Sequence, residues 1–78
     1  MRLITVTRDA LTITRRRAGK GYCYRDVAGE LICDDDVKAR VGALGIPPAW
    51  TEVRIAPHPR AHIQAMGTDA AGRVQYIY

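Results

Sequence analysis

Between residues 34 and 48 lies the one stretch whose apolar residues recur at helical spacing, and its limits constrain the rest of the chain. Asp34, Asp35 and Asp36 open it, because carboxylates accept from the free N–H groups of a first helical turn and suit the positive end of its dipole. Val37, Val41 and Leu44 then fall at i, i+4 and i+7 and form a buried stripe. Gly45 and the pair Pro47-Pro48 end it, since proline cannot continue a helix and disfavours α geometry in the residue before it. Outside this stretch the chain offers only short extended segments. Residues 3–7 and 11–14 are β-branched runs, and residues 22–25 and 31–32 follow a basic, glycine-containing loop at 15–21. Residues 53–56 are bounded by Pro57 and Pro59, and residues 62–66 and 73–78 alternate around a loop at 67–72. The expected fold is α+β: a small, mostly antiparallel sheet of about five strands with one or two short helices.

A chain of 78 residues makes one domain, expected to span residues 1–78. Phenylalanine is absent, so Trp50, four tyrosines and the aliphatics must supply a thin core, and a deep substrate cavity is not expected. Apolar stretches are a few residues long, far below the ~20 that span a bilayer. Charges at Arg2, Arg8 and Asp9 break up the N-terminus, so neither a membrane protein nor a secretory precursor is expected. Cys23 and Cys33 allow one disulfide. Small secreted folds that depend on bridges usually carry more, and both cysteines are read as reduced thiols of a cytosolic protein.

The net charge of +4 is unevenly distributed. Arg2, Arg8, Arg15, Arg16, Arg17, Lys20 and Arg25 face Asp9 alone in the first third, whereas residues 26–52 are acidic on balance. Such segregation suits a surface that meets a polyanion. The inventory for catalysis is poor. His58 and His62 stand four apart, but Pro57 and Pro59 flank the first, so the two do not share a helix face as a zinc pair would. Cys23 and Cys33 lack metal-ligand spacing, and the Asp34–Asp36 run reads as a helix cap and not a cation cage. Gly19, Lys20 and Gly21 lack the spacing of a phosphate-binding loop. No metal or cofactor is expected.

Nucleic-acid binding requires cations for phosphates and planar or amide groups for bases, and both are present. Arg15, Arg16, Arg17 and Lys20 suit phosphates. Gln75 can pair with an adenine edge, while Tyr76 and Tyr78 can stack or contact a thymine methyl. Alternation sets Val74, Tyr76 and Tyr78 on one face of their strand and Arg73, Gln75 and Ile77 on the other. All three groove candidates therefore reach DNA together only if the strand twists or ends near Tyr76, or if it enters a groove edge-on.

Four motifs occur in order: Ile13-Thr14-Arg15-Arg16-Arg17-Ala18-Gly19-Lys20-Gly21-Tyr22; Ile46-Pro47-Pro48-Ala49-Trp50-Thr51; His62-Ile63-Gln64-Ala65 with Gly67-Thr68-Asp69; and Gly72-Arg73 with Gln75-Tyr76-Ile77-Tyr78. In this arrangement the chain resembles the N-terminal domain of bacterial type IB DNA topoisomerases, relatives of the poxvirus enzyme, over nearly its whole length. The resemblance implies one half of a clamp around duplex DNA, in an enzyme that relaxes supercoils without ATP or metal. It also implies a separate C-terminal catalytic domain whose tyrosine forms a 3′-phosphotyrosine. The chain is then an excised, noncatalytic domain, monomeric and cytoplasmic, at the bacterial nucleoid. Its implied DNA contacts are Arg73, Gln75, Tyr76 and Tyr78, with Arg15, Arg16, Arg17 and Lys20 as phosphate candidates. Two departures stand out. Val74 replaces a second basic residue before the glutamine, and Ala61 and Met66 stand where bacterial relatives often have glycine and threonine. A structural module that packs on its own catalytic domain or on a protein partner is the alternative.

Overall fold

The computed structural model describes residues 3–78, so Arg2 of the basic N-terminal third lies outside the described residues. Five strands, β1 (Ile13–Ala18), β2 (Gly21–Arg25), β3 (Thr51–Ile55), β4 (Ala65–Thr68) and β5 (Val74–Ile77), form one sheet in the order β2-β1-β3-β4-β5. Every neighbouring pair is antiparallel. One helix, α1 (Asp35–Ala43), and a 3₁₀ turn at Arg8–Ala10 complete the α+β fold. The Asp34 carboxylate caps α1, accepting from the N–H groups of Asp36 at 2.8 Å and Val37 at 3.3 Å. Past its end Gly45 takes φ +65 and its N–H reaches the Gly42 carbonyl at 3.3 Å, a left-handed stop that glycine makes without steric penalty.

Four segments differ from the expectation. Residues 3–7 form no strand of the sheet; Ile4 makes a single parallel bridge to Ala61. The hydrogen-bonding edges of β1 are already taken by β2 and β3, so an extended N-terminal segment cannot pair with the strand that follows it. It crosses the sheet instead, where Leu11 packs with Ala56 and Ala61, and Val6, Ile63 and Met66 close around them.

The basic segment at 15–21 is not a loop. Arg15, Arg16 and Arg17 continue β1, pairing with Tyr24, Cys23 and Tyr22, and only Gly19 and Lys20 form the turn. Gly19, at φ +59, is the first of the two turn residues, the position where two-residue hairpins use glycine to match strand twist. The third difference is the 67–72 loop, because Gly67 and Thr68 belong to β4. A Cβ on Gly67 would lie 2.8 Å from a Trp50 ring carbon. Glycine is in this strand because the indole occupies the space of its side chain. His62 and Ile63 in turn leave the sheet, and the His62 N–H joins the Ile4 carbonyl at 2.9 Å.

The core is split between the two faces of the sheet. On one, α1 contributes Val41, 2% exposed, against Ile13, Val53, Ile55 and Ala65, with Trp50 and Ile77 packed alongside. The smaller Leu11 cluster lies on the other. A buried polar link joins helix to loop: Arg40 donates to the Gln64 side-chain oxygen at 2.6 Å and to the Ala56 carbonyl at 2.7 Å. The Gln64 amide donates on to the Ala61 carbonyl at 2.6 Å. Between Thr51 and Arg54 the β3–β4 register shifts at a bulge, where Glu52 takes φ +52. No helix among the described residues is long and apolar enough to cross a membrane.

Candidate functional site

Strand register decides which polar side chains share a surface. Partners across antiparallel strands point to the same side, so Arg25, Thr14, Arg54, Met66 and Tyr76 form a row across all five strands on the face away from α1. Arg16 lies one step along β1 in the same sense, and Thr68 and Val74 lie beside it toward the β4–β5 turn. The N-terminal segment covers this face near Met66 and reaches Tyr76 through Arg8. Elsewhere it opens into a shallow depression of about 490 Å³, bordered by Thr14, Arg16, Arg54, Thr68 and Val74. Arg16 and Arg54 are exposed, and neither guanidinium makes a hydrogen bond or ion pair with another described residue. Arg54 was missed by reading motifs. Its signal was the alternation within residues 53–56, where Val53 and Ile55 point inward and Arg54 outward.

The arginine run is divided by the same alternation. Arg16 points to the open face, while Arg15 and Arg17 point to the α1 side. Arg15 is half-buried there. It donates to the carbonyls of Trp50 at 2.8 Å, Pro47 at 3.1 Å and Ile46 at 3.4 Å, and its guanidinium lies 4.3 Å from the centre of the Tyr22 ring. Arg17 sits 5.9 Å from the same ring. Lys20 is exposed at the tip of the hairpin.

At the other edge, Tyr76 and Tyr78 lie on the open face with ring centres 6.3 Å apart, and the His62 ring is 6.4 Å from Tyr78. Tyr78 is 77% exposed. Arg8 donates to the Tyr76 hydroxyl at 3.4 Å. Gln75, opposite Gly67, points to the α1 side and donates to the Asp69 carboxylate at 2.9 Å. Arg73 pairs with that carboxylate at 3.6 Å while its side chain stays largely exposed. The N–H groups of Ala71 and Arg73 also donate to Asp69. The Arg73 backbone bond, followed by the Gln75 amide, holds the Asp69 carboxyl below the usual carboxylate range. The structure therefore brings Tyr76, Tyr78 and Arg16 to one face and leaves Gln75, Arg15 and Arg17 on the other. Because β5 is an edge strand, its two faces meet along one free border where Gln75 and Tyr76 adjoin. Both histidines use Nδ1 to accept a backbone N–H, His58 from Arg60 and His62 from Val6, each at 3.1 Å.

Residues 21–69 match the family model described as bacterial DNA topoisomerase IB, N-terminal domain. The chain belongs to this family. A relative, the DNA topoisomerase 1B of Acanthamoeba polyphaga mimivirus, is 42% identical over 67 residues, which are 85% of this chain and 20% of that protein. The chain thus spans about a fifth of the length of that relative. No solved structure matches it. In this topoisomerase IB N-terminal domain the matched span runs from β2 to Asp69. It includes Arg54 and the Trp50 loop and stops short of β5.

Proposed function

We propose that this domain is the noncatalytic half of a clamp that holds duplex DNA for a type IB topoisomerase. On this reading the nucleophilic tyrosine comes from a catalytic domain elsewhere in the parent protein, forms the 3′-phosphotyrosine there, and lets supercoils relax. The border of β5 enters the major groove edge-on, which lets Gln75 on one side and Tyr76 and Tyr78 on the other face base edges. Arg73, at the start of the same strand, meets a phosphate. The observation that carries this is the placement of Tyr76 and exposed Tyr78 at a free sheet edge, beside a face bearing arginines whose side chains have no partner among the described residues.

The test is a salt titration of duplex binding. Phosphate contacts release counterions, so affinity should fall steeply with salt. Gln75→Ala should relax preference at one base position by ~1–3 kcal/mol, whereas Arg73→Ala should weaken all sequences alike and lower the salt slope. An absence of salt-dependent affinity, with no DNA-induced shift of the Gln75 or Tyr76 amides, would favour the packing role instead. Plasmid relaxation by these residues alone would overturn the noncatalytic assignment.

A further inference from the structure

We propose that Arg16 and Arg54, on the open face of the sheet, form a phosphate track that seats one DNA backbone while β5 occupies the adjoining groove. This rests on the duplex-binding reading above; it singles out Arg16 from the arginine run and adds Arg54.

Three observations converge on this face. First, both guanidiniums are exposed and free of bonds to other described residues, and they border one depression. The neighbouring Arg15 is occupied by three carbonyls. Second, the spacing fits. Strands lie ~4.8 Å apart, which places Arg54 on β3 ~10 Å and Arg16 on β1 ~14 Å from β5. A major groove is ~12 Å wide, so a strand seated in it has the flanking backbone ~6 Å to either side. Arg54 and Arg16 therefore lie beyond the bases and alongside the sugar-phosphate chain. Third, the helix on the opposite face presents acid at its start. Asp34, Asp35 and Asp36 are all exposed at the start of α1, whereas Glu52 is the one acid among the described residues that border the depression. Glu52 should weaken the track by offsetting part of the arginine charge.

The experiment is duplex binding by the chain across a salt series, read by fluorescence anisotropy. Arg16→Ala and Arg54→Ala should each lower the salt slope by ~0.9 and the double variant by ~1.8, the value for one released phosphate contact per arginine. Lys38→Ala removes the same charge from α1 and should change the slope far less. Glu52→Gln should tighten binding. Thermal unfolding of each variant checks the fold. Amide shifts of the unsubstituted chain, expected at Arg16, Arg54 and Thr68 and not along α1, give a second readout that needs no substitution. A double variant that loses no more slope than Lys38→Ala, or DNA-induced shifts confined to other surfaces, overturns the track. If Tyr76→Ala still weakens binding in that case, the duplex-binding reading survives without it. If the unsubstituted chain shows no salt-dependent binding, both fall.

Discussion

Arg15→Ala separates two roles for one residue of the arginine run. A phosphate contact would leave stability untouched and reduce DNA affinity. The geometry places Arg15 elsewhere: its guanidinium bridges β1 to the loop before β3 through the carbonyls of Pro47 at 3.1 Å and Trp50 at 2.8 Å, with a longer bond to Ile46 at 3.4 Å. Hydrogen bonds from charged donors contribute ~1.5–3 kcal/mol each. The side chain is only half-buried, so the low end applies, and the two shorter bonds account for ~3 kcal/mol. The stacked Tyr22 ring, 4.3 Å away, adds ~0.5–1 kcal/mol. At ~0.05–0.15 kcal/mol per residue the whole domain is stable by ~4–12 kcal/mol, so the loss is a large fraction of the total. The total of ~3.5–4 kcal/mol, at ~4–8 °C per kcal/mol for a domain of this size, should lower the midpoint by ~14–32 °C in a thermal melt followed by circular dichroism. Arg15→Lys should recover little, because an ammonium on a flexible stem cannot reproduce the fork that meets two carbonyls. In variants kept cool enough to remain folded, the DNA salt slope should match that of the unsubstituted chain. A midpoint within ~2 °C of the original, together with a slope lowered by ~0.9, would refute the structural role and return Arg15 to the phosphates.

Gly67→Ala should destabilise by ~1–3 kcal/mol through overpacking, because its Cβ would lie 2.8 Å from the Trp50 ring and 3.2 Å from Val53. A shift in Trp50 fluorescence should accompany the loss, and an unchanged melt and spectrum would contradict the close approach. Asp69 should make the β4–β5 turn sensitive to acid. Its carboxyl is held low in the folded state, first by the Arg73 N–H and then by Gln75, so the unfolded chain takes up the proton more readily. The stabilisation is complete above the ordinary carboxylate range near ~4 and is lost as pH falls through the lower folded value. Hydrogen exchange at the Ala71 and Arg73 amides should accelerate over that window, and Asp69→Asn should remove the pH dependence. Persistence of the pH dependence in that variant would place its origin elsewhere.

The parts of this fold that could be read directly are those whose physics is local. The Asp34 cap, the Val37, Val41 and Leu44 stripe and the Gly45 stop act within a few residues of one another, so their positions in the chain were enough to place α1. Alternation along β5 was equally readable, and it correctly set Gln75 apart from Tyr76 and Tyr78. Glycine misled in two places, once at a tight hairpin turn and once where it faces a side chain distant in sequence. Gly19 and Gly21 made a paired strand look like a loop, and Gly67 read as a breaker when it was making room for an indole.

The sequence by itself determined the class of fold, the family pattern and the chemical means to meet a polyanion. Tertiary structure alone decided how those means are distributed. Which arginine is free and which is bound depends on Pro47 and Trp50, more than 30 residues from Arg15. Which face is open depends on where the N-terminal segment and α1 settle on the sheet. Arg54 joins Arg16 and Tyr76 because antiparallel register brings strands distant in sequence into one row, and a pairing of that kind is set by the packing of both faces at once.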